Sequence, residues 1–431
     1  MYVSPRSGAA LTSARMLRLY GRYAGGMHTP VPDHLLDVLD QCSLDDGEVA
    51  GYIPELARVD PAQLAVALCT LDGTVHSAGD AEARFTIQSI SKPFVYALAL
   101  AEHGTAAVLE HVGVEPSGNA FNEISLDPLG RPRNPMINIG AITTTSLASI
   151  DPDQRWQRIH SGLSAFAGRE LEVDESVYRS ELEISSRNMS LAYMVKAHDR
   201  LEGDPDRVVA DYVRQCALVV DVRDLAVMAM TLANQGRNPI TGEEVVPAAI
   251  CRQVLSVMMT CGMYDAAGDW MSNVGFPAKS GVSGCIMGAL PGQVGIGVFS
   301  PRLDRFGNSV RGVRVCERLS ADMGLHLMQA PEAASHVLHS LGDTPETDKD
   351  GDGVRQMQLQ GSLHFAASEA ALRELARIPE DDTIIEIDLD RVTAINSVGK
   401  RMLREGVRRL RLDGHEVRVL DGQQHLGGQD Q

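Results

Sequence analysis

Ser89 and Lys92 stand three residues apart at the start of an apolar run, Pro93–Leu100, and their types suit nucleophilic catalysis. The Ala- and Leu-rich run predicts a buried helix, and Pro93 is compatible with its first turn. Positions three apart share one face of a helix, so the hydroxyl and the amine are expected to project together. Burial lowers the pKa of a lysine toward neutrality, and such an amine accepts the proton of a serine nucleophile.

A second motif, Lys279-Ser280-Gly281, lies far downstream of this pair. It resembles the K-T-G strand motif that accompanies S-x-x-K in penicillin-recognising serine enzymes. S-x-x-K alone occurs often by chance, but the two motifs together favour a catalytic serine.

The segments around these motifs predict a sheet and buried helices. Leu64–Cys69 reads as a strand, followed by a turn at Asp72–Thr74. Gly292–Ser300 alternates small and β-branched residues and predicts a central strand, while Leu225–Ala233 predicts another buried helix. Helices clustered with an antiparallel sheet indicate an α+β domain rather than strictly alternating β-α units.

The bulk composition is that of a globular protein and excludes several classes of partner. A net charge of −18 argues against nucleic acid and anionic membranes as partners, because both repel an acidic surface. We find no uninterrupted apolar stretch of membrane-spanning length. The seven cysteines are widely spaced without C-x-x-C, which predicts small core residues in a reducing cytoplasm rather than a disulfide framework or a zinc site.

The 431 residues are enough for two or three domains. Residues 1–28 are basic and free of apolar core, which predicts a disordered extension; a transit peptide or an upstream start site are the alternatives. Residues 29–335 form the predicted catalytic domain and 336–353 an acidic linker. From 354 to 431 strands alternate with helices, which indicates a small α/β domain.

The linker also carries Asp348-x-Asp350-x-Asp352, a spacing found in EF-hand calcium loops. Such a loop needs a bidentate glutamate at its twelfth position, where this chain has Leu359. We therefore interpret the segment as a solvated linker, with a calcium site as the alternative.

Further motifs follow one another between residues 30 and 330. Together with the Ser89 motif they are Tyr52–Leu56, Pro116–Asn122, Asn134–Ile142, Tyr178–Glu181, Arg187-Asn188, Asp211–Cys216, Cys261–Asp265 and Pro277–Gly284. Taken in this order, they closely resemble the serine-dependent glutaminases, which convert L-glutamine to L-glutamate and ammonia. So many motifs in one order make a chance match very improbable.

The resemblance implies a role for each catalytic position. Ser89 matches the acylated nucleophile and Lys92 its proton acceptor. Tyr52 and Tyr264 match tyrosines that line the catalytic pocket, and Tyr264 is the better candidate for the proton relay in deacylation. The backbone N–H groups of Ser89 and Val282 match the oxyanion hole, so the Val282 side chain itself is expected to tolerate change.

The resemblance also implies a pocket for the amino-acid end of the substrate, formed by Asn138, Glu181, Asn188 and Tyr212. An α-ammonium calls for a carboxylate such as Glu181, and an α-carboxylate calls for amide and hydroxyl donors. Taken alone, each of these residues is more readily interpreted as structural: Asn138 as a turn or cap residue and Glu181 as half of a surface ion pair. Only their combined order and spacing favour the pocket. The full set of expected substrate contacts is Ser89, Asn138, Glu181, Asn188, Tyr212, Tyr264 and Val282.

A few positions stay open within this assignment. Lys279 either supports the Ser89–Lys92 pair electrostatically or neutralises a buried carboxylate, and Asp127 and Asp265 are weaker candidates for a role. Departures from the family pattern include Ile139, where alanine is common, and Ser283 and Cys285, which replace smaller residues. None of them removes a proposed catalytic group.

Three features stand out in residues 354–431: Gly361–Ala366, Ile387–Leu389 with Val392-Thr393, and Gly414 with its following strand. With them this segment resembles, more loosely, a STAS domain, the module of anti-sigma-factor antagonists and sulfate transporters. In that family a helix-opening D-S-x-G turn carries a regulatory phosphoserine. Here the turn is Asn396–Gly399, so Ser397 is a candidate phosphosite, and the alternative we favour is a plain helix cap.

Together these inferences predict a cytoplasmic glutaminase with a serine β-lactamase or penicillin-binding-protein fold, and an appended STAS-like regulatory or docking domain. No metal or organic cofactor is called for, and the family resemblance implies a homodimer or homotetramer. The alternatives are another S-x-x-K amidohydrolase and a non-catalytic sensor. The S-D-N motif of class A β-lactamases is not present, and the intact Ser89, Lys92 and Tyr264 argue against a sensor.

Overall fold

A computed structural model describes residues 29–43, 46–117, 126–329, 337–347, 353–378 and 384–427. The chain divides into two compact units, one spanning Val31–Glu332 and the other containing Ala333–Gln431. The expected extension 1–28, the aspartates of the calcium-loop alternative and most of the Pro116–Asn122 motif lie outside the described residues.

Both helices and strands make up the first unit. Its helices are α1 (Val31–Gln41), α2 (Pro54–Ala57), α3 (Ser91–His103), α4 (Thr105–His111), α5 (Asn138–Ser146), α6 (Arg155–Ala167), α7 (Glu175–Glu183), α8 (Ser186–Ala197), α9 (Pro205–Cys216), α10 (Val222–Ala233), α11 (Ala248–Cys261), α12 (Ala267–Asn273) and α13 (Val310–Met323). Its strands are β1 (Glu48–Val49), β2 (Ala65–Thr70), β3 (Val75–Gly79), β4 (Phe85–Thr86), β5 (Glu172–Val173), β6 (Leu218–Val220), β7 (Ala278–Gly281), β8 (Cys285–Leu290), β9 (Val294–Phe299) and β10 (Arg302–Leu303). Short 3-10 helices cover Gln88–Ile90, Tyr264–Ala266 and Leu327–Gln329.

The core of this unit is a five-stranded antiparallel sheet in the order β3-β2-β9-β8-β7. Strand β9 lies at its centre, as the Gly292–Ser300 pattern predicts, and helix α10 packs on it. A Cβ at Gly295 or Gly297 would lie 2.1–2.2 Å from carbonyl oxygens of α10, so only glycine lets the helix approach this closely. The small residues of β9 are therefore required by helix-on-sheet packing.

Helix α3 runs through the interior of the helical layer. Its residues Ser91–Leu100 are all buried, which explains why this helix is apolar on every side. Gly162 of α6 faces Leu98, and a Cβ there would lie 2.6 Å from the leucine side chain. The tight packing holds the N-terminal end of α3, which carries Lys92, in one position.

A second group of helices forms its own apolar cluster beside α3. Ile139 and Ile142 of α5, Leu191 of α8, and Val208 and Tyr212 of α9 are among its buried members. Because α5, α8 and α9 meet there, polar residues at the edge of this cluster are brought to one place from three distant parts of the chain.

The second unit contains strands β11 (Leu338–Thr347), β12 (Gly353–Leu363), β13 (Ile384–Ile395) and β14 (Val417–Leu420), with helices α14 (Phe365–Leu375) and α15 (Ser397–Leu412). The sheet order is β11-β12-β13-β14, with an antiparallel first pair and two parallel pairs. The alternation of strands and helices agrees with the small α/β domain expected here.

The structure differs from the expected linker at 336–353, because Leu338–Thr347 forms β11. This strand pairs with β12 from Leu338 opposite Leu359 to Thr347 opposite Gly353, with two shifts of register along the way. A polar, turn-rich segment gives no local strand signal, and the hydrogen-bonding edge of β12 supplies the order that its own sequence does not.

The mixed α+β prediction is thus confirmed. Among the described residues, no helix is both long enough and apolar enough to cross a membrane.

Candidate active site

Ser89 lies in the 3-10 turn that leads from β4 into α3. Residues i and i+3 eclipse in such a turn, so Ser89 and Lys92 still project to one side, although only Lys92 belongs to the α-helix. The preceding Gln88 has a φ of +49°, an unusual conformation for a residue with a side chain. Ser89 is 9% exposed and Lys92 is fully buried, so the serine keeps a small contact with solvent and the lysine has none.

The Lys92 amine is held by two oxygen acceptors and by no described carboxylate. Its Nζ donates to Asn138 Oδ1 at 2.7 Å and to the Met136 carbonyl at 3.4 Å. Burial lowers the pKa of Lys92 from 10.5 to about 8. Two acceptors match the two N–H bonds of a neutral amine, which leaves its lone pair to take a proton.

Tyr264 and Lys279 come from different elements and meet next to Ser89. The Tyr264 hydroxyl shares a hydrogen bond with the Ser89 side chain and donates to the Ser280 carbonyl at 3.3 Å. Lys279 Nζ donates to the same carbonyl at 2.7 Å and lies 4.2 Å from the centre of the Tyr264 ring. Burial raises the pKa of the Tyr264 phenol and lowers that of the Lys279 amine.

The turn after β7 brings Val282 to the Ser89 segment. The Ser283 hydroxyl donates to the Thr86 carbonyl at 2.9 Å, across almost 200 positions of sequence. A Cβ at Gly281 would lie 2.8 Å from Cys285 Sγ and 3.3 Å from the Ile87 carbonyl, so the two segments are in close contact. Ser283 and Cys285, which depart from the family pattern, therefore pack between the turn and the segment before Ser89.

On the other side of Lys92, three polar residues form one network. Asn138 is the first residue of α5, and its Oδ1 accepts from both Lys92 and the Tyr212 hydroxyl, the latter at 3.2 Å. Its Nδ2 donates to Asn188 Oδ1 on α8 at 3.2 Å. The helix-cap alternative for Asn138 is not what the structure has, since its side chain makes no capping bond.

Glu181 of α7 completes this side of the site and forms no described ion pair. The Tyr52 hydroxyl donates to Glu181 Oε1 at 2.9 Å, and Gln88 Nε2 donates to the same atom at 3.3 Å. Among the described residues no donor is bonded to Oε2. Burial raises the pKa of Glu181, and desolvation together with the Glu181 charge raises that of the Tyr52 phenol, although 47% of Tyr52 is exposed overall.

Two residues of this arrangement escaped the sequence analysis. Gln88 ties Glu181 to the serine turn, and its Nε2 also donates to Thr86 Oγ1 at 3.2 Å. Glu55 holds α2 to α7, because its carboxylate accepts from Ser176 at 2.6 Å and Ser180 at 3.0 Å. The one sequence signal for Gln88 is its position directly before Ser89. A single glutamine does not by itself indicate a functional role.

The weaker candidate residues lie in different places and have different contacts. Asp127 pairs with Arg131 and caps its own turn, which is a structural role. Asp265 lines a cavity of about 710 Å³ that Tyr264 also borders. Ser397 belongs to the other unit of the chain. Within the described ranges, no group of three His, Cys, Asp or Glu side chains is placed to hold a metal ion.

The site therefore joins a serine, a buried amine and a phenol to a pocket that has one carboxylate and several neutral donors. Comparison with known proteins identifies the family to which the chain belongs. The sequence model of the Glutaminase family matches residues 47–328. A Glutaminase of Corynebacterium glutamicum is 47% identical over 396 residues, covering 91% of this chain and 94% of that protein. A Glutaminase of Trichormus variabilis is 48% identical over 305 residues, covering 69% of this chain and 91% of its own length.

Solved structures agree with these sequence matches. The crystal structure of Mglu in its tris and glutamate form has a TM-score of 0.70 at 41% identity, covering 93% of this chain and 100% of that one. The structure of the probable glutaminase ybaS has a TM-score of 0.67 at 38% identity and covers 69% of this chain and 99% of its own. The chain belongs to the glutaminase family and is an enzyme that hydrolyses glutamine.

Proposed function

We propose that the chain hydrolyses L-glutamine to L-glutamate and ammonia through a γ-glutamyl ester on Ser89. The observation that carries this proposal is the Lys92 amine, which is buried without a described counter-ion three residues after a partly accessible serine. An amine in that environment is a base near neutral pH, and a base beside a serine activates it.

In the acylation step the Ser89 oxygen attacks the γ-carboxamide carbon while Lys92 takes the hydroxyl proton. The carbonyl oxygen becomes an oxyanion, which the backbone N–H groups of Ser89 and Val282 stabilise. The Lys92 ammonium returns the proton to the amide nitrogen as the C–N bond breaks, and ammonia leaves. Ser89 lies in the first turn of its 3-10 helix, where an N–H has no partner within the helix.

In the deacylation step water attacks the ester carbon and gives up a proton, and the Ser89 oxygen recovers one as glutamate leaves. Tyr264 is the relay for this transfer because its hydroxyl is hydrogen-bonded to Ser89. Its raised pKa keeps the phenol protonated at neutral pH, so it is able to donate to the leaving serine oxygen.

Recognition of the amino-acid end follows from the charges of the pocket. Glu181 Oε2, which faces no described donor, accepts from the α-ammonium, while Tyr52 and Gln88 hold Oε1. Asn138, Asn188 and Tyr212 supply amide and hydroxyl groups for the α-carboxylate. A pocket with one carboxylate and neutral donors suits a zwitterion rather than a β-lactam.

Release of ammonia and glutamate from L-glutamine tests the proposed reaction, with L-asparagine and the β-lactam nitrocefin measured alongside. Turnover of glutamine with a stoichiometric yield of both products is expected, and nitrocefin is expected to remain intact. Hydrolysis of nitrocefin without glutamine turnover would instead establish the other S-x-x-K hydrolase. Failure to turn over any of the three would support the sensor hypothesis.

Replacing Glu181 with glutamine is expected to raise the KM for L-glutamine by about 10- to 100-fold, the effect of losing a charged hydrogen bond of about 1.5–3 kcal/mol. The variant keeps the shape of the side chain but loses its charge, so kcat is expected to fall less than KM rises. Glu183→Gln, at an exposed position of the same helix, is the matched control. An unchanged KM in Glu181→Gln would remove Glu181 from the substrate pocket.

For residues 354–431 we propose a STAS-like regulatory or docking role, separate from the chemistry at 29–335. The strand and helix order of this unit supports the proposal, as does the match of the Trichormus relative to about two thirds of the chain. Asn396 Oδ1 caps α15 by accepting from the Gly399 N–H, which is the helix cap favoured from the sequence, and the exposed Ser397 beside it is the candidate phosphosite of the alternative interpretation. Glutamine turnover by a chain ending at Glu332 would assign the chemistry to the first unit alone.

The oligomeric state of the chain and its cellular compartment are also proposed. We expect a homodimer or homotetramer, as the family resemblance implies. All seven cysteines are free and buried, which is consistent with a reducing cytoplasm.

A further inference from the structure

A fully buried glutamine lies behind the 3-10 turn that carries Ser89. Gln215 belongs to the last turn of α9, and its Nε2 donates to the Ser91 hydroxyl at 3.3 Å. The Ser91 hydroxyl donates in turn to the Gln88 carbonyl at 2.8 Å, and Cys216 Sγ lies 3.8 Å from the same hydroxyl oxygen. Two hydrogen bonds therefore connect α9 to the backbone directly before the nucleophile.

The helices that provide this contact also form the substrate side of the site. On α9, Gln215 follows Tyr212 by three residues, so the two side chains share one face. On α5, Thr145 follows Asn138 by seven residues, which is about two turns, and they also share one face. Tyr212 donates to Asn138, and the Thr145 hydroxyl lies 3.2 Å from Gln215 Oε1. The two helices are thus joined by two polar contacts, one of which reaches the Ser89 turn.

The fold does not need the Gln215 amide to satisfy its partners. The Ser91 hydroxyl has an acceptor in the Gln88 carbonyl, and the Thr145 hydroxyl donates to the Ala141 carbonyl at 2.8 Å, the shorter of its two contacts. An apolar side chain of the same length would leave neither hydroxyl proton without an acceptor, and it would avoid the cost of burying an amide. What the amide adds is a fixed position for the Ser91 oxygen.

The Gln88 carbonyl determines how the Ser89 N–H group is oriented. Both groups belong to one planar peptide unit, so a hydrogen bond that fixes the carbonyl also fixes the direction of the N–H. Gln88 has a φ of +49°, a conformation that a residue with a side chain keeps only when its surroundings impose it. Its carbonyl accepts from both the N–H and the hydroxyl of Ser91, and these bonds hold the peptide plane.

We propose that Gln215 is a positioning residue that acts through the Ser91 hydroxyl, which holds the Gln88–Ser89 peptide plane and so points the Ser89 N–H at the oxyanion. Gln215 itself contacts no group that reacts. The inference rests on the proposed Ser89 chemistry, in which this N–H is one of the two oxyanion donors. Such a donor interacts most strongly in the transition state, so a loss of its orientation lowers kcat more than it raises KM.

Gln215→Met tests the proposal, because methionine has a similar length and no amide. We expect kcat for glutamine to fall by about tenfold, less than the loss of a whole oxyanion donor, with KM within about twofold of the parent value. The unfolding temperature is expected to change by only a few degrees, since no hydroxyl loses its acceptor. Gln253→Met on α11, which loses the hydrogen bond from Gln253 Nε2 to the Tyr96 hydroxyl, is the matched control and is expected to keep the parental kcat.

A double-mutant cycle with Ser91→Ala shows whether Gln215 acts through Ser91. Ser91→Ala removes the side-chain bond to the Gln88 carbonyl, and we expect kcat to fall by about tenfold or more. Adding Gln215→Met to this variant is expected to lower kcat by less than about twofold further, because the hydroxyl through which the amide acts is already gone. If thermal unfolding shows that the double variant does not fold, Gln215→Met alone decides.

Three results would overturn the proposal. A kcat for Gln215→Met within twofold of the parent would show that the amide positions nothing that matters for the reaction. A rise in KM larger than the fall in kcat would place Gln215 in substrate binding. Effects that multiply in the double variant would show that Gln215 does not act through Ser91.

Ser89→Ala is measured in parallel, so that this inference and the proposed function fail separately. If Ser89→Ala still hydrolyses glutamine, the proposed function fails. An inactive Ser89→Ala beside an unaffected Gln215→Met contradicts only the role of Gln215.

Discussion

Replacing Ser89 with alanine is expected to lower kcat for L-glutamine by about 10³-fold or more, because no ester intermediate forms without the hydroxyl. The substitution removes one oxygen from a residue that is 9% exposed, so the fold is expected to be retained. Bound glutamine is expected to stabilise the variant against heat, since Glu181 and the Asn138 network remain in place.

A matched serine-to-alanine change separates chemistry from folding. Ser161 lies on the exposed face of α6, where its hydroxyl donates to the Arg158 carbonyl within its own helix. Ser161→Ala is expected to retain parental kcat and KM. Glutamine turnover by Ser89→Ala above a few per cent of the parent rate would exclude Ser89 as the nucleophile.

Lys92→Met is expected to lower kcat by about 10³-fold and to leave the protein as stable as the parent at pH 7, or more stable. The activity falls because Ser89 loses its base. The expected stability follows from the linkage between protonation and folding. The pKa of Lys92 is about 8 in the folded chain and 10.5 when unperturbed, so the unfolded chain binds this proton more tightly than the folded chain does. At pH 7 the buried ammonium therefore lowers the free energy of unfolding. Methionine fills a similar volume without that cost. Thermal unfolding and steady-state kinetics on one preparation check both results.

The pH profile distinguishes Lys92 from other bases. Lys92 must be unprotonated to accept the serine proton, so kcat/KM of the parent is expected to rise about tenfold per pH unit below pH 8 and to level off above it. Lys92→Met is expected to retain low activity without this rise. If the variant retains the rise, another group acts as the base.

Several elements were predictable because their signals are local. The strand at Leu64–Cys69, the central strand at Gly292–Ser300 and the helix at Leu225–Ala233 occur as β2, β9 and α10, with ends shifted by no more than three residues. Each has an apolar pattern of the right length between turn residues. The Arg-rich helix α15 also has an amphipathic pattern of the right length.

Other features depend on contacts between distant segments and have no local signal. The strand β11 is ordered by its pairing with β12, although its own sequence resembles a linker. Gln88 reaches Glu181 only because α7 packs beside the serine turn. The left-handed backbone of Gln88, the first residue of the 3-10 turn that contains Ser89, has no local signal either. A one-dimensional pattern contains none of these distances.

The sequence by itself determined the family, because ordered motifs spread over some 300 residues identify it without any geometry. It also indicated which residues carry the chemistry, since a hydroxyl, amines, phenols and one carboxylate are types with known reactivity. Only the tertiary structure decided how these groups act on one another. Lys92 and Lys279 are ordinary lysines in sequence, and their basicity changes because folding removes water and places them together without a described carboxylate. Desolvation and charge proximity are properties of the packed chain, and they exist only once distant segments have met.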